Sequence, residues 1–85
     1  MILKKFWADW CHPCQMLKPV IEDLKSQYTI EEINIEDTSE EILTKYKVRN
    51  IPLLVLENEE GNELWRHTGF ITKDELTKEL DKFKE

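Results

Sequence analysis

Cysteine is nearly absent from this sequence: two residues in 85. They stand three positions apart, so a structural bridge between them would close a very short loop and remove little entropy from the unfolded chain. That excludes a disulfide-stapled scaffold. No apolar run approaches the roughly 20 residues of a membrane-spanning helix. The opening Met1-Ile2-Leu3-Lys4-Lys5 lacks the layout of a secretory signal, and we expect a cytoplasmic protein. No basic stripe offsets the net charge of −6, which argues against a nucleic-acid partner. Repeats, low-complexity tracts and linkers rich in Pro, Gly or Ser are also missing, so residues 1–85 read as one domain.

What remains is 40% hydrophobic and 35% charged, enough for one small core. Leu3 to Trp7 reads as a strand. Over residues 12–28, Leu17, Val20, Ile21, Leu24 and Tyr28 recur on one helical face. Pro13 falls in the first turn, where a missing N–H costs nothing, and Pro19 predicts a kink. Ile30 to Ile35 is a second strand. Thr38 and Glu41 form a capping-box pair for a short helix carrying Ile42, Leu43 and Tyr46.

Leu53-Leu54-Val55-Leu56 is the unbroken apolar run of a strand buried on both faces. A turn at 58–62 and a returning edge strand, Glu63 to Thr68, follow. Thr72 and Glu75 cap a last helix striped by Leu76, Leu80 and Phe83. The order βαβαββα predicts an α/β fold, a mixed four-stranded sheet with helices on both faces. Trp7, Trp65 and Phe70 read as core or groove residues, Tyr46 and Phe83 as helix-packing residues, and Glu57 to Glu60 as a solvated turn.

The chemistry concentrates in Trp10-Cys11-His12-Pro13-Cys14, between the first strand and the first helix. A cysteine at a helix N-terminus faces unpaired N–H groups and the positive end of the macrodipole, worth about 0.3–2 kcal/mol to a thiolate. Three-residue spacing puts both sulfurs on one face, with Cys14 the deeper. Cys11 is thus placed to attack a disulfide and Cys14 to resolve the mixed disulfide. Two readings compete. The pair could be plain buried core cysteines. A metal site would need two further ligands, which His12 and His67 would supply only by accident of folding.

Phe6-Trp7-Ala8-Asp9-Trp10-Cys11-His12-Pro13-Cys14, with Met16, Leu17 and Pro19, resembles the active-site segment of the thioredoxin family. Val48-Arg49-Asn50-Ile51-Pro52 resembles that family's cis-proline loop. Asn58 to Gly61 and Thr68-Gly69-Phe70 resemble its closing hairpin and glycine turn. The resemblance runs nearly end to end and lacks only the family's first strand and helix, leaving a glutaredoxin-sized core. It implies strand order 2-1-3-4, Cys11 as nucleophile, Cys14 as resolving thiol and Pro52 as a cis-proline facing them. Trp10, Pro13, Ile51 and Gly69 would form the substrate surface. It further implies protein-disulfide reduction with no bound cofactor, recharging by a flavoprotein reductase, and a monomer. A glutathione-coupled, glutaredoxin-like reductase is the rival, weakened by the lack of a Gly-Gly-x-Asp signature. A redox-inert or metal-binding adaptor using the Pro52 groove is another.

Three positions depart from the family pattern. Lys5 stands where thioredoxins usually place a buried aspartate, and Glu32 where they place its lysine partner. A charge-swapped Lys5–Glu32 pair beneath Cys14 that handles its proton is therefore expected. His12 replaces a glycine and, when protonated, would stabilise the neighbouring thiolate, giving a less reducing potential.

Overall fold

In a computed structural model, which describes residues 1–84, the elements are β1 (Ile2–Trp7), α1 (His12–Leu24), β2 (Thr29–Asn34), α2 (Glu40–Lys45), β3 (Leu53–Glu57), β4 (Glu63–Thr68) and α3 (Lys73–Asp81). The sheet runs β2-β1-β3-β4. β1 pairs in parallel with β2, and antiparallel partners join β1 to β3 and β3 to β4. Every residue of β3 is buried, as its apolar run predicts.

The two faces carry separate cores. On one, α1 and α3 pack Leu17, Ile21, Leu24, Leu76 and Leu80 onto Leu3, Leu54 and Leu56. On the other, α2 and the segments flanking it cover Phe6, Leu53 and Val55 with Tyr46, Ile42 and Leu43. Each fully buried Leu or Phe is worth about 1.5–3 kcal/mol of apolar transfer, so α1 is fixed chiefly by its Leu17–Ile21–Leu24 stripe.

Several local expectations shift. α1 ends at Leu24 rather than Tyr28, because its last turn tightens: Lys25 N–H reaches Glu22 O and Gln27 N–H reaches Leu24 O, each an i→i−3 bond. Tyr28 is buried in the same core regardless. α1 continues through Pro19, which faces solvent. Ser39 caps α2 in place of Thr38, its hydroxyl accepting from Ile42 N–H at 3.3 Å. Thr72 caps α3 as predicted, accepting from Glu75 N–H.

Glu57 does not belong to a solvated turn. It is the last residue of β3 and only 7% exposed. Its carboxylate accepts from the Tyr46 hydroxyl at 2.9 Å and lies 3.3 Å from Lys4 Nζ. Lys4 in turn donates to the same hydroxyl at 2.7 Å. Tyr46 is therefore a polar hinge-pin at the C-cap of α2 as well as a packing residue. Phe70 lies on the surface, 40% exposed, rather than in the core.

Candidate active site

β1 ends at Trp7, and the chain turns through buried Ala8 and exposed Asp9 and Trp10 before α1 begins. Two bonds hold that turn: Cys11 N–H to Ala8 O at 3.2 Å, and the Gln15 side-chain amide to Asp9 O at 3.2 Å. Cys11 is the N-cap of α1, with extended backbone angles (φ −92°, ψ 105°). Its sulfur accepts from Cys14 N–H at 3.3 Å, the role an oxygen plays in ordinary caps. The Cys11 sulfur thus sits where the helix presents unpaired N–H groups, the favoured place for negative charge.

Cys11 and Cys14 are joined as a disulfide, with Cα atoms 5.2 Å apart. Cys11 is 5% exposed and Cys14 fully buried. The outer sulfur is therefore the one that can be approached. Beneath the pair lie Trp7 and Ala8, with Ile35 and Ile51 at the margin. The Lys18 ammonium sits 5.5 Å over the Trp7 ring.

The facing wall comes from the segment between α2 and β3. Cys11 Sγ lies 3.7 Å from the Ile51 carbonyl oxygen. The Ile51–Pro52 peptide bond is cis, and Pro52 is buried. Pro52 O accepts from Gly69 N–H at 2.8 Å. Gly69 has φ +96°, a conformation that costs an L side chain energy, so glycine suits this anchor. Gly69 supports the loop from behind and does not line the groove.

Trp10, Cys11, His12 and Pro13 form one side of an open groove of about 350 Å³, and Arg49, Asn50 and Ile51 the other. Trp10 is 67% exposed at the groove's rim. His12 faces solvent beside Cys11. Arg49 and Asn50 went unassigned as groove residues in the sequence, although their adjacency to Ile51-Pro52 was the available signal. No cluster of three or more His, Cys, Asp or Glu side chains suited to a metal ion occurs among the described residues. No helix among them is long and apolar enough to cross a membrane.

Lys5 and Glu32 are register partners on β1 and β2, but the expected ion pair between them is not formed. Glu32 instead reaches Lys25, just past the end of α1, at 3.2 Å. Lys25 also binds Glu22 at 2.8 Å. Lys5 is 1% exposed, and among the described residues no carboxylate lies within 4 Å of its ammonium.

The family model described as Thioredoxin matches residues 1–82. The chain is 40% identical over 85 residues to a thioredoxin of Chlamydia pneumoniae, covering 96% of this chain and 81% of that one. It is 32% identical over 83 residues to Thioredoxin C-2 of Corynebacterium nephridii, covering 94% of this chain and 76% of the other. Among solved structures, a mutant thioredoxin from Halobacterium salinarum NRC-1 superposes with a TM-score of 0.88 at 34% identity, over 99% of this chain and 74% of that one. The matched span takes in the capped cysteine pair and the loop that faces it, and the chain belongs to the thioredoxin family of thiol–disulfide oxidoreductases.

Proposed function

We propose that this protein reduces disulfide bonds in other proteins by dithiol exchange, as one cytoplasmic domain spanning residues 1–85. In the reduced state Cys11, capped by the Cys14 amide, attacks a substrate disulfide. One substrate sulfur leaves as thiolate and a mixed disulfide forms on Cys11. Cys14 then attacks the Cys11 sulfur, releasing the second substrate thiol and restoring the Cys11–Cys14 disulfide. The single observation that carries this order is the burial contrast: Cys11 borders an open groove, whereas Cys14 lies wholly inside.

Ile51, whose carbonyl faces the Cys11 sulfur, offers main-chain pairing to an extended substrate segment, with Pro52 fixing the wall behind it. Trp10 and Pro13 supply apolar contact at the groove's mouth, and Gly69 holds Pro52 in place. His12 stabilises the neighbouring thiolate when protonated. The exchange needs no bound cofactor. Electrons come from a flavoprotein reductase of the thioredoxin-reductase type, and the protein works as a monomer.

The test is turnover of a disulfide-bonded test protein with either NADPH and a flavoprotein reductase or reduced glutathione as electron source. Turnover with the flavoprotein supports the assignment. Turnover with glutathione alone makes the protein glutaredoxin-like. Failure with both, and with dithiothreitol, would overturn the reductase reading.

A further inference from the structure

Lys5 is the bulkiest of the fully buried side chains, at 1% exposure. Strand alternation places it with Leu3 and Trp7 on the α1-facing side of β1. Leu3 shares a core cluster with Leu17, Ile21 and Leu24 of α1, and Trp7 packs against the cluster of Ala8, Cys11 and Cys14 at that helix's beginning. Lys5 stands between those two contacts. To this face β3 contributes Leu54, the register partner of Lys5 and of His67 on β4, and α3 contributes Leu76 and Leu80.

The charged groups that act on Lys5 are Glu32 from β2, Lys18 and Glu22 from α1, and Lys25 at the end of α1. Both carboxylates are already taken, since Lys25 binds Glu22 and Glu32 together. Lys18 is turned onto the Trp7 ring. With Lys5 protonated, the set holds three cations against two anions. A buried ammonium without a counter-ion is costly, and burial accordingly pulls Lys5 below the ordinary lysine range; Glu32 opposes that shift, while Lys18 and Lys25 reinforce it. One negative charge in the same layer would balance the set, and opening of the Cys11–Cys14 bond at the start of α1 creates one.

We propose that Lys5 is the buried counter-charge of the reduced dithiol, stabilising the thiolate that reduction leaves at the N-terminus of α1 and making the disulfide a stronger oxidant. The step balances as follows. A donor dithiol delivers two electrons into the Cys11–Cys14 bond, which breaks while the donor becomes a disulfide. Of the donor's two protons, one ends on the Cys14 thiol and the other leaves to solvent, with Cys11 remaining as thiolate. Lys5 touches no substrate and acts through its field, as a positioning residue. The proposal rests on the oxidoreductase reading of the same site.

Lys5→Met removes the charge and keeps an apolar stem of similar length. Two quantities are measured on the folded variant: the thiol titration, followed by thiolate absorbance, and the redox equilibrium constant against dithiothreitol. The expected result is a thiol that titrates about one pH unit higher and an equilibrium moved about tenfold toward the disulfide, equivalent to about 30 mV for a two-electron couple. Should Lys5→Met not fold, Lys5→Gln is read in the same way. Wild-type values of both quantities in either folded variant would overturn the proposal, since a merely structural lysine would move only the melting temperature. A wild-type protein with no redox transition would instead remove the oxidoreductase reading, and this proposal with it.

Discussion

The backbone N–H of Cys14 points at the sulfur of Cys11 across 3.3 Å, so one peptide group serves both as a helix-cap donor and as the first stabiliser of a thiolate. The two cysteines consequently fail in different ways when mutated. Cys11→Ser removes the accessible nucleophile, and reduction of a protein disulfide should fall to background, at least about a thousandfold. Cys14→Ser keeps the nucleophile and removes only resolution, so a mixed disulfide should accumulate and be visible by intact mass. Equal accumulation of adducts on both variants would show that the burial contrast does not set the order of attack.

Tyr46 links Lys4 to Glu57, accepting from one at 2.7 Å and donating to the other at 2.9 Å. Tyr46→Phe leaves both charged partners short of a hydrogen bond in a half-buried site. The expected loss is about 1–2 kcal/mol of unfolding free energy, read by urea denaturation. A loss below a few tenths would mean that water replaces the hydroxyl on both sides.

The same site has an alkaline signature. Burial by itself would lower Lys4, but the hydrogen bonds from Tyr46 and Glu57, with the charges of Glu31 and Glu57, outweigh it and hold Lys4 above the ordinary lysine value. A base raised in the folded state contributes stability below its unfolded pKa of about 10.4 and loses it as pH climbs through the folded value. Wild-type melting temperature should therefore fall more steeply above about pH 10.4 than that of Lys4→Met. Parallel curves would remove Lys4 from the stability of this face.

Much of this was legible in the sequence because it is local. The unbroken Leu53–Leu56 run could only be a strand buried on both faces, and the Cys-x-x-Cys at a strand-to-helix turn could only place its first sulfur at a helix start. What escaped depends on distant parts of the chain. Glu57 precedes two exposed acids, Glu59 and Glu60, and nothing local separates it from them. Its burial follows from Tyr46, 11 residues back, and Tyr46 is in turn bonded to Lys4 across a separation of 42. Glu32 finds Lys25 rather than Lys5 because α1 ends at Leu24, an end set by its tightened last turn. Lys5 itself was half legible: in Leu3-Lys4-Lys5-Phe6 two adjacent lysines must face opposite sides of a strand. Both sides of this strand are covered.

Lys5 shifts in the opposite direction from Lys4, because burial is not outweighed there. Desolvation lowers its folded-state pKa below the unfolded value, with Glu32 opposing and Lys18 and Lys25 adding. The folded protein therefore binds fewer protons than the unfolded chain between the two values, and stability rises with pH across that window. Below it, the full penalty of an enclosed ammonium applies. Lys5→Met should stabilise the protein at neutral pH by about 1–3 kcal/mol, and the gain should shrink as pH approaches about 10.4. Thermal unfolding of both proteins across pH checks this, and a destabilised Lys5→Met would show that its ammonium is well solvated in place.

Lys47, the residue just past the Tyr46 C-cap of α2, lies in the left-handed region, with φ +54°. Its N–H bonds Thr44 O at 3.1 Å, and the next N–H, from Val48, bonds Leu43 O at 2.9 Å. This is the paired closure that glycine usually provides just past a helix end. A Cβ in that conformation costs about 1–2 kcal/mol, part of which glycine gives back as unfolded-state entropy. Lys47→Gly should therefore stabilise the protein by about 0.5–1 kcal/mol, raising the melting temperature by roughly 2–8 °C for a domain of this size. The effect bears on the site, because the chain runs directly from this closure through Arg49 and Asn50 to Ile51, the groove wall facing Cys11. A firmer closure should leave the redox equilibrium unchanged while slowing amide exchange at Val48. A destabilised Lys47→Gly would mean that the lysine's own stem, not the backbone strain, decides the energy at this corner.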